Sequence, residues 1–130
     1  MLAHLAALTR GDFVPIVEPM QEMVWVGDTK GQCVYLNKAL RDFWGVEIAD
    51  LPRFSWSSTL LGEDADALFS VLNDAMTNRV PFTVRARYRR ADGAIRTLQT
   101  RAEPRFAPNG EFMGMVGVNT DVTNSLGLSV

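Results

Sequence analysis

The sequence predicts one α+β domain in which helices cover one face of an antiparallel sheet. Three observations predict it. Apolar and polar residues alternate from Phe82 to Arg89, Gly turns join this stretch to two further strand-like stretches, and apolar residues recur at helical spacing from Ala65 to Met76. A three-stranded meander needs a second layer on its apolar face. With 130 residues and a mass of 14.4 kDa, the chain has room for a single core.

The register of the meander follows from its buried face. A two-residue turn at Asp92-Gly93 would place Leu98 opposite Arg87. One more loop residue instead pairs Ala86 with Leu98 and keeps both apolar side chains on one face. We therefore predict the longer loop, with its Gly at positive φ. A second Gly turn then leads into a third strand from Phe112 to Val122.

The N-terminal residues predict a helical flank. A stripe of apolar side chains fits one face of a short helix that Gly11 would end: Leu2, Leu5, Ala6 and Leu8. Residues 13–20 are apolar but interrupted by Pro15 and Pro19, which favours a turn or a broken short helix over a strand.

The next stretch predicts a strand pair, a capped helix and short helical turns. Met23 to Val26 and Cys33 to Leu36 are the strands, joined by a Gly turn. Asn37 suits the N-cap of a helix from Lys38 to about Trp44, and the Gly after it suits the helix end. Residues 46–61 carry Pro and aromatic side chains among small polar residues, which indicates short helical turns with the aromatics pointing inward.

Composition excludes several classes of partner. The formal charge of -2 and pI near 5.3 supply no attraction to nucleic acid or to an anionic membrane. No apolar run approaches the roughly 18 residues of a membrane span. Cys33 is the single cysteine, which rules out a disulfide framework and a cysteine-based metal cluster and fits a reducing, cytoplasmic setting.

The ordered motifs between Met23 and Thr123 resemble the PAS sensor family, of the PAS/PAC type found in histidine kinases and cyclic-dinucleotide signalling proteins. The matching segments are 24–28 with Gly31, 35–37, 43–45, 63–64, 87–93, 101–104 and 114–123. The resemblance implies a five-stranded antiparallel sheet in the order 2-1-5-4-3 with the helices on its concave face. It divides the chain into a helical flank at 1–20, the PAS domain at 21–124 and a linker stub at 125–130.

Members of this family sense a small molecule, redox state or light, or they dimerise and relay signals to a kinase, cyclase or transcription-control domain. A ligand pocket would be walled by inward-facing residues: Phe43, Trp44, Phe54, Trp56, Phe69, Leu72, Met76, Tyr88, Leu98, Thr100, Met115 and Asn119. Gly117 would leave room between them. These side chains could instead fill the space, with Asn119 bonded to Tyr88 or Thr100, leaving an interaction module with a solid core.

The resemblance also bears on cofactors. Flavin-photoreceptor relatives carry a reactive cysteine among the short helices, and this sequence has none between Gly45 and Leu61. Haem-binding relatives take an axial His from the long helix, whereas the one histidine here is His4. Covalent flavin photochemistry and His-ligated haem therefore do not match this sequence, and a small-molecule ligand stays open.

Other residue groups favour a non-catalytic role. Glu63, Asp64 and Asp66 lie where a helix start favours acids, and no His accompanies them, so a small α+β enzyme is the weaker alternative.

A basic stripe is expected on the outer sheet face: Arg85, Arg87, Arg89 and Arg101. It suits solvent or an acidic partner better than nucleic acid.

Two expectations concern assembly and signalling. The N-terminal helix could cover Val24 and Val26 on the outer sheet face and pair two copies, because so short a helix is not stable alone. Asp121 and Thr123 end the last strand, where relatives pass strain to the next domain through a following helix. Their local role is expected to be hydrogen bonding at the strand end.

Overall fold

The computed structural model describes Ala6 and residues 10–128. Its elements in chain order are α1 (Arg10–Val17), β1 (Met23–Gly27), β2 (Cys33–Leu36), α2 (Lys38–Trp44), two 3-10 helices (Ile48–Arg53 and Trp56–Thr59), α3 (Gly62–Asn78), β3 (Phe82–Arg89), β4 (Ile95–Phe106), β5 (Phe112–Asp121) and α4 (Thr123–Leu128). The last helix begins before the boundary expected for a linker stub. Leu2, His4, Leu5 and Leu8 lie outside the described residues.

The five strands form one antiparallel sheet in the order β2-β1-β5-β4-β3, as the resemblance implied. Ala86 pairs with Leu98, which confirms the register deduced from the buried face. Gly93 has a φ of 89°, as the longer loop requires. The hydrophobic pattern and one Gly therefore fix the pairing of β3 with β4.

Helices α2 and α3 and both 3-10 helices lie on the concave face. Asn37 caps α2 through its side-chain oxygen, and Gly45 ends the helix at a φ of 69°. In α3 the apolar stripe faces the sheet, with Leu68 and Ala75 buried. Covering a side chain the size of Leu68 stabilises the fold by about 2 kcal/mol.

The outer face of β1 and β5 is covered by α1. Phe13 and Val17 are fully buried there against Val24 and Val26, and Ala6 packs against the same cluster. The expectation that Gly11 ends a helix was wrong, because Gly11 lies inside α1, which also runs through Pro15 without a break. Burial of two large apolar side chains, worth about 1.5–3 kcal/mol each, offsets the roughly 3 kcal/mol that an internal Pro costs.

Two buried polar contacts join the flank to the domain. Asn37 is fully buried, and its amide donates to the carbonyl oxygens of Val17 and Glu22 while its oxygen accepts from the backbone N–H of Val24. The guanidinium of Arg41 donates to both oxygens of Glu18 at 2.8–2.9 Å. These contacts hold the end of α1 against the start of α2.

Among the described residues, no helix is both long enough and apolar enough to cross a bilayer.

Candidate ligand site on the concave face

A cavity of about 50 Å³ lies between the concave face of the sheet and the helices. Its lining is mostly apolar and comes from strands, turns and helices: Trp25, Gly27, Asp28, Gly31, Cys33, Trp44, Trp56, Leu68, Leu72, Met76, Phe82, Tyr88, Thr100, Met115 and Asn119. The volume accommodates about three to five ordered waters, or a ligand of a few non-hydrogen atoms. Drug-sized ligands occupy larger pockets of roughly 300–1,000 Å³.

The polar centre of this cavity is Asn119 on β5. Its side-chain oxygen accepts two hydrogen bonds, from the indole N–H of Trp25 at 3.0 Å and from the hydroxyl of Thr100 at 2.8 Å. The partner Thr100 agrees with one of the two expected from the sequence, and Trp25 was not foreseen. Asn119 therefore links β1, β4 and β5 at the cavity wall.

The room expected beside Gly117 is occupied. The indole of Trp25 lies directly over Gly117, so that a Cβ at this position would overlap the ring. Gly117 thus admits Trp25 to the core, and the expectation that it leaves space for a ligand was wrong. The cavity is therefore smaller than it would be if the space beside Gly117 were empty.

Two further polar groups belong to the cavity lining. The indole nitrogen of Trp44 is buried and makes no hydrogen bond with any described residue. Tyr88 packs edge-on against the Trp44 ring, with centroids 5.9 Å apart. Burial raises the pKa of Tyr88 well above its ordinary value, so its hydroxyl keeps its proton.

The predicted pocket residues divide into two groups. Those that line the cavity are Trp44, Trp56, Leu72, Met76, Tyr88, Thr100, Met115 and Asn119. Phe43 and Leu98 instead belong to the packed core, where Leu98 is fully buried. Phe54 and Phe69 line a separate groove outside the cavity. The periodicity of helices and strands correctly predicts which side chains face inward. It does not predict which of these inward side chains line the cavity and which pack in the core.

Several lining residues were missed by the sequence reasoning: Trp25, Gly27, Asp28, Gly31, Cys33, Leu68 and Phe82. A signal for Trp25 existed. Val24 and Val26 were assigned to the outer face, and alternation along a strand then places Trp25 on the inner face. The turn residues Asp28 and Gly31 gave no such signal, because turns have no regular period.

A wider groove of about 620 Å³ lies outside the cavity, between β2 and the two 3-10 helices. Trp56, Gly31 and Cys33 line both spaces. The indole N–H of Trp56 donates to the carbonyl oxygen of Gly31 at 2.9 Å. This hydrogen bond joins two residues that line both the groove and the cavity. Burial raises the pKa of the Cys33 thiol to about 12, so the thiol stays protonated near neutral pH.

The end of β5 carries a hydrogen-bonded junction. Asp121 accepts from Arg96 at 2.6 Å and from the hydroxyl and backbone N–H of Thr123 at 2.7 and 3.1 Å. The Thr123 hydroxyl oxygen in turn accepts from the backbone N–H of Thr97 at 2.7 Å. Both residues therefore make the expected hydrogen bonds at the strand end, at the point where α4 begins.

The basic stripe is not a free surface throughout. Arg87 donates through its backbone and guanidinium to Asp64 at 2.7–3.1 Å, which ties edge strand β3 to the start of α3. The Arg87 side chain is still 41% exposed, but its charge is paired within the chain, whereas Arg85, Arg89 and Arg101 are exposed. Among the described residues, no group of three or more His, Cys, Asp or Glu side chains is placed to hold a metal ion.

Known proteins share this sequence pattern and this architecture. The sequence pattern of the PAS fold matches residues 33–119. The protein y4lL of Sinorhizobium fredii, itself uncharacterised, is 27% identical over 111 residues. That alignment covers 85% of this chain and 13% of y4lL, so the chain spans a small part of this relative's length.

Solved structures show the same architecture. The PAS domain of a protein from Colwellia psychrerythraea has a TM-score of 0.75 at 19% identity, over 88% of this chain and 97% of that one. A sensory box histidine kinase/response regulator from Burkholderia thailandensis has a TM-score of 0.67 at 22% identity, over 93% and 90%. The phage VqmA-DPO complex has a TM-score of 0.71 at 18% identity, over 91% and 55%. Since the family pattern covers more than half of the chain and the sheet has the order that the family implies, this chain belongs to the PAS fold family.

Proposed function

We propose that this chain is a sensory domain of a signal-transduction protein, which binds a small molecule in the concave-face cavity and relays the event to an output domain. The observation that carries the proposal is the spacing of Asn119 and Asp121 on β5. Residues two apart in a strand share a face, so both side chains lie on the concave side. Asn119 lines the cavity, and Asp121 binds the first residue of α4.

The relay would work through the side-chain amide of Asn119, whose orientation a bound ligand changes. A ligand that bonds Asn119 alters its hydrogen bonds with Trp25 and Thr100, and so moves β5 relative to β1 and β4. Asp121 follows, because it is two residues along the same strand. Its contacts with Arg96 and Thr123 then carry the shift into α4.

The proposed output domain is of the histidine kinase or diguanylate cyclase type. A sensory box histidine kinase/response regulator with the same fold supports the first of these. The greater length of y4lL, of which the aligned part is 13%, is compatible with further domains. A small-molecule input is supported by a neighbour described as VqmA bound to DPO.

A homodimer through the N-terminal helix and the outer sheet face is part of the proposal. Phe13 and Val17 seat α1 on the sheet, while Ile16 on the same helix is half exposed. A second copy could cover Ile16 and extend the outer apolar cluster.

The cytoplasm is the proposed compartment, since a single free cysteine suits reducing conditions.

A specific observation favours a second candidate function. The cavity holds only about 50 Å³, and Trp25 occupies the space over Gly117. A domain with so little free volume can act as a protein-interaction module without any ligand. Sensing then requires either a very small ligand or a rearrangement of the lining, for example at the hydrogen bond between Trp56 and Gly31.

Native mass spectrometry of the chain purified without denaturant separates the two functions. Sensing predicts a retained or titratable small mass that is lost in the Asn119→Leu variant and kept in Thr120→Ala, whose side chain is exposed on the outer face. No retained or titratable mass in the unaltered chain, together with a solvent-free cavity in a crystal structure, would establish the interaction module instead.

A further inference from the structure

We infer that the cavity selects a small, uncharged molecule that accepts hydrogen bonds, and that the amide N–H group of Asn119 is the donor that selects it. The inference rests on the proposed function, because it assumes that the cavity is a ligand site. It adds the chemical class of the ligand.

The orientation of the Asn119 amide is fixed by its neighbour. An indole N–H can donate but not accept, so the atom 3.0 Å from the Trp25 nitrogen must be the amide oxygen. The Thr100 hydroxyl donates to the same oxygen. The amide nitrogen therefore points away from both and makes no hydrogen bond with another described residue, and part of its surface stays accessible although Asn119 is only 5% exposed and lines the cavity.

A second unmet group in the same lining is also a donor. The indole N–H of Trp44 has no partner, and its residue is only 9% exposed. Polar groups inside a protein nearly always have partners, so an unpaired amide N–H group and an unpaired indole N–H group in one cavity lining favour a molecule that supplies acceptors. A ligand rich in donors would leave both groups unpaired.

The charge of the lining disfavours anions. Asp28 is the one charged side chain among the described residues that line the cavity, and one of its oxygens accepts from the backbone N–H groups of Lys30 and Gln32. With no Lys or Arg in the lining, an anion would be buried without a counter-charge. A cationic donor could pair with the carboxylate of Asp28, but it would leave the N–H group of Asn119 unpaired. The lining therefore favours a small, uncharged ligand that is mostly apolar and carries a hydrogen-bond acceptor.

Acetone and acetate are matched probes for this inference. Each has four non-hydrogen atoms in the same planar shape, so both suit the small cavity, and they differ in charge. The three tryptophans give three indole N–H signals in a nitrogen-15 correlation spectrum, with Trp44 and Trp25 in the cavity and Trp56 in its outer wall. We expect acetone to shift the Trp44 signal saturably with a dissociation constant on the order of millimolar. Acetate should give no saturable shift.

Asn119→Asp is the variant that isolates the donor. At pH 8 its carboxylate keeps an oxygen for Trp25 and Thr100 but removes the N–H group, so acetone affinity should fall by at least about tenfold. An unmoved Trp56 signal reports that the fold is intact, because Trp56 donates to the Gly31 carbonyl oxygen and not to Asn119. Thr120→Asp places the same charge on the exposed neighbour and should keep acetone affinity.

The outcomes separate the two levels of the proposal. Acetate binding as tightly as acetone, or unchanged acetone binding in Asn119→Asp, would overturn the ligand class and leave sensing in place. The absence of a saturable shift with both probes would overturn the ligand class and the sensing function together.

Discussion

The indole N–H of Trp25 donates to the side-chain oxygen of Asn119, joining the first strand to the last across the cavity wall. The contact depends on Gly117, because the Trp25 ring lies where a Cβ would stand. One small residue, one indole and one amide thus determine the shape of the candidate site.

Gly117→Ala tests this arrangement. The added methyl group overlaps the Trp25 ring, so we expect the free energy of unfolding to fall by about 1–3 kcal/mol in urea denaturation. Gly62→Ala is the matched control, since a Cβ at the start of α3 meets no atom within 4 Å. Equal stability of the two variants would contradict the placement of Trp25.

The pH dependence of stability tests the ion pair between Glu18 and Arg41. The hydrogen bond from Arg41 lowers the pKa of Glu18 from 4.5 to about 2, against the opposing effect of burial. Because the folded-state pKa is the lower one, the pair contributes its full stability above about pH 4.5 and loses it as the pH falls toward 2. Glu18 is 35% exposed, so after allowance for screening the loss should be about 1–2 kcal/mol.

Glu18→Gln provides the comparison for that measurement. The variant should be less stable than the unaltered chain at pH 7, and the difference should shrink between pH 4.5 and pH 2. Glu111→Gln, at an exposed position, should have the stability of the unaltered chain at pH 7. A profile for Glu18→Gln parallel to that of the unaltered chain would show that Glu18 does not titrate with folding.

Trp56→Phe tests the wall between groove and cavity. Phe keeps an aromatic ring but cannot donate to the Gly31 carbonyl oxygen, so the wall should open more often. The rate at which a disulfide reagent labels Cys33, the single thiol, should rise by roughly threefold or more. Ser55→Ala, in the same groove, should label at the original rate, and no difference between the two variants would contradict the gating role.

Asp121→Asn tests the junction at the end of β5. Burial disfavours the ionised form of Asp121, but hydrogen bonds from Arg96 and Thr123 outweigh this and hold its pKa below the ordinary value. Removal of the charge should lower the free energy of unfolding at pH 7 by about 1–2 kcal/mol. Asp66→Asn on the exposed side of α3 should leave it within about 0.5 kcal/mol. Equal effects in urea denaturation would contradict a structural role for this carboxylate.

Local chemistry made much of the fold predictable. Asn37 before an apolar stretch, the Gly after Trp44, and the alternation in β3 each follow from a short-range rule, and each lies where that rule places it. The sheet order came instead from the resemblance, because no local pattern states which strands are neighbours.

Contacts between distant residues account for what the sequence did not reveal. Glu18 and Arg41 are 23 positions apart, and nothing in either neighbourhood marks the pair. Gly11 and Pro15 oppose a helix locally, yet burial of Phe13 and Val17 outweighs them. Cavity depth depends on how Trp25 packs over Gly117, which no pattern within either strand reveals.

Amide hydrogen exchange tests the coupling of Asn119 to the end of β5 most directly. The informative amides are Thr97, which donates to the Thr123 hydroxyl oxygen, and Val122, which donates to the Thr97 carbonyl oxygen. In Asn119→Ala, both should exchange at least about tenfold faster than in the unaltered chain, while Thr120→Ala on the exposed face should leave them unchanged. Exchange rates at Thr97 and Val122 that are the same in all three proteins would contradict a relay from the cavity to α4.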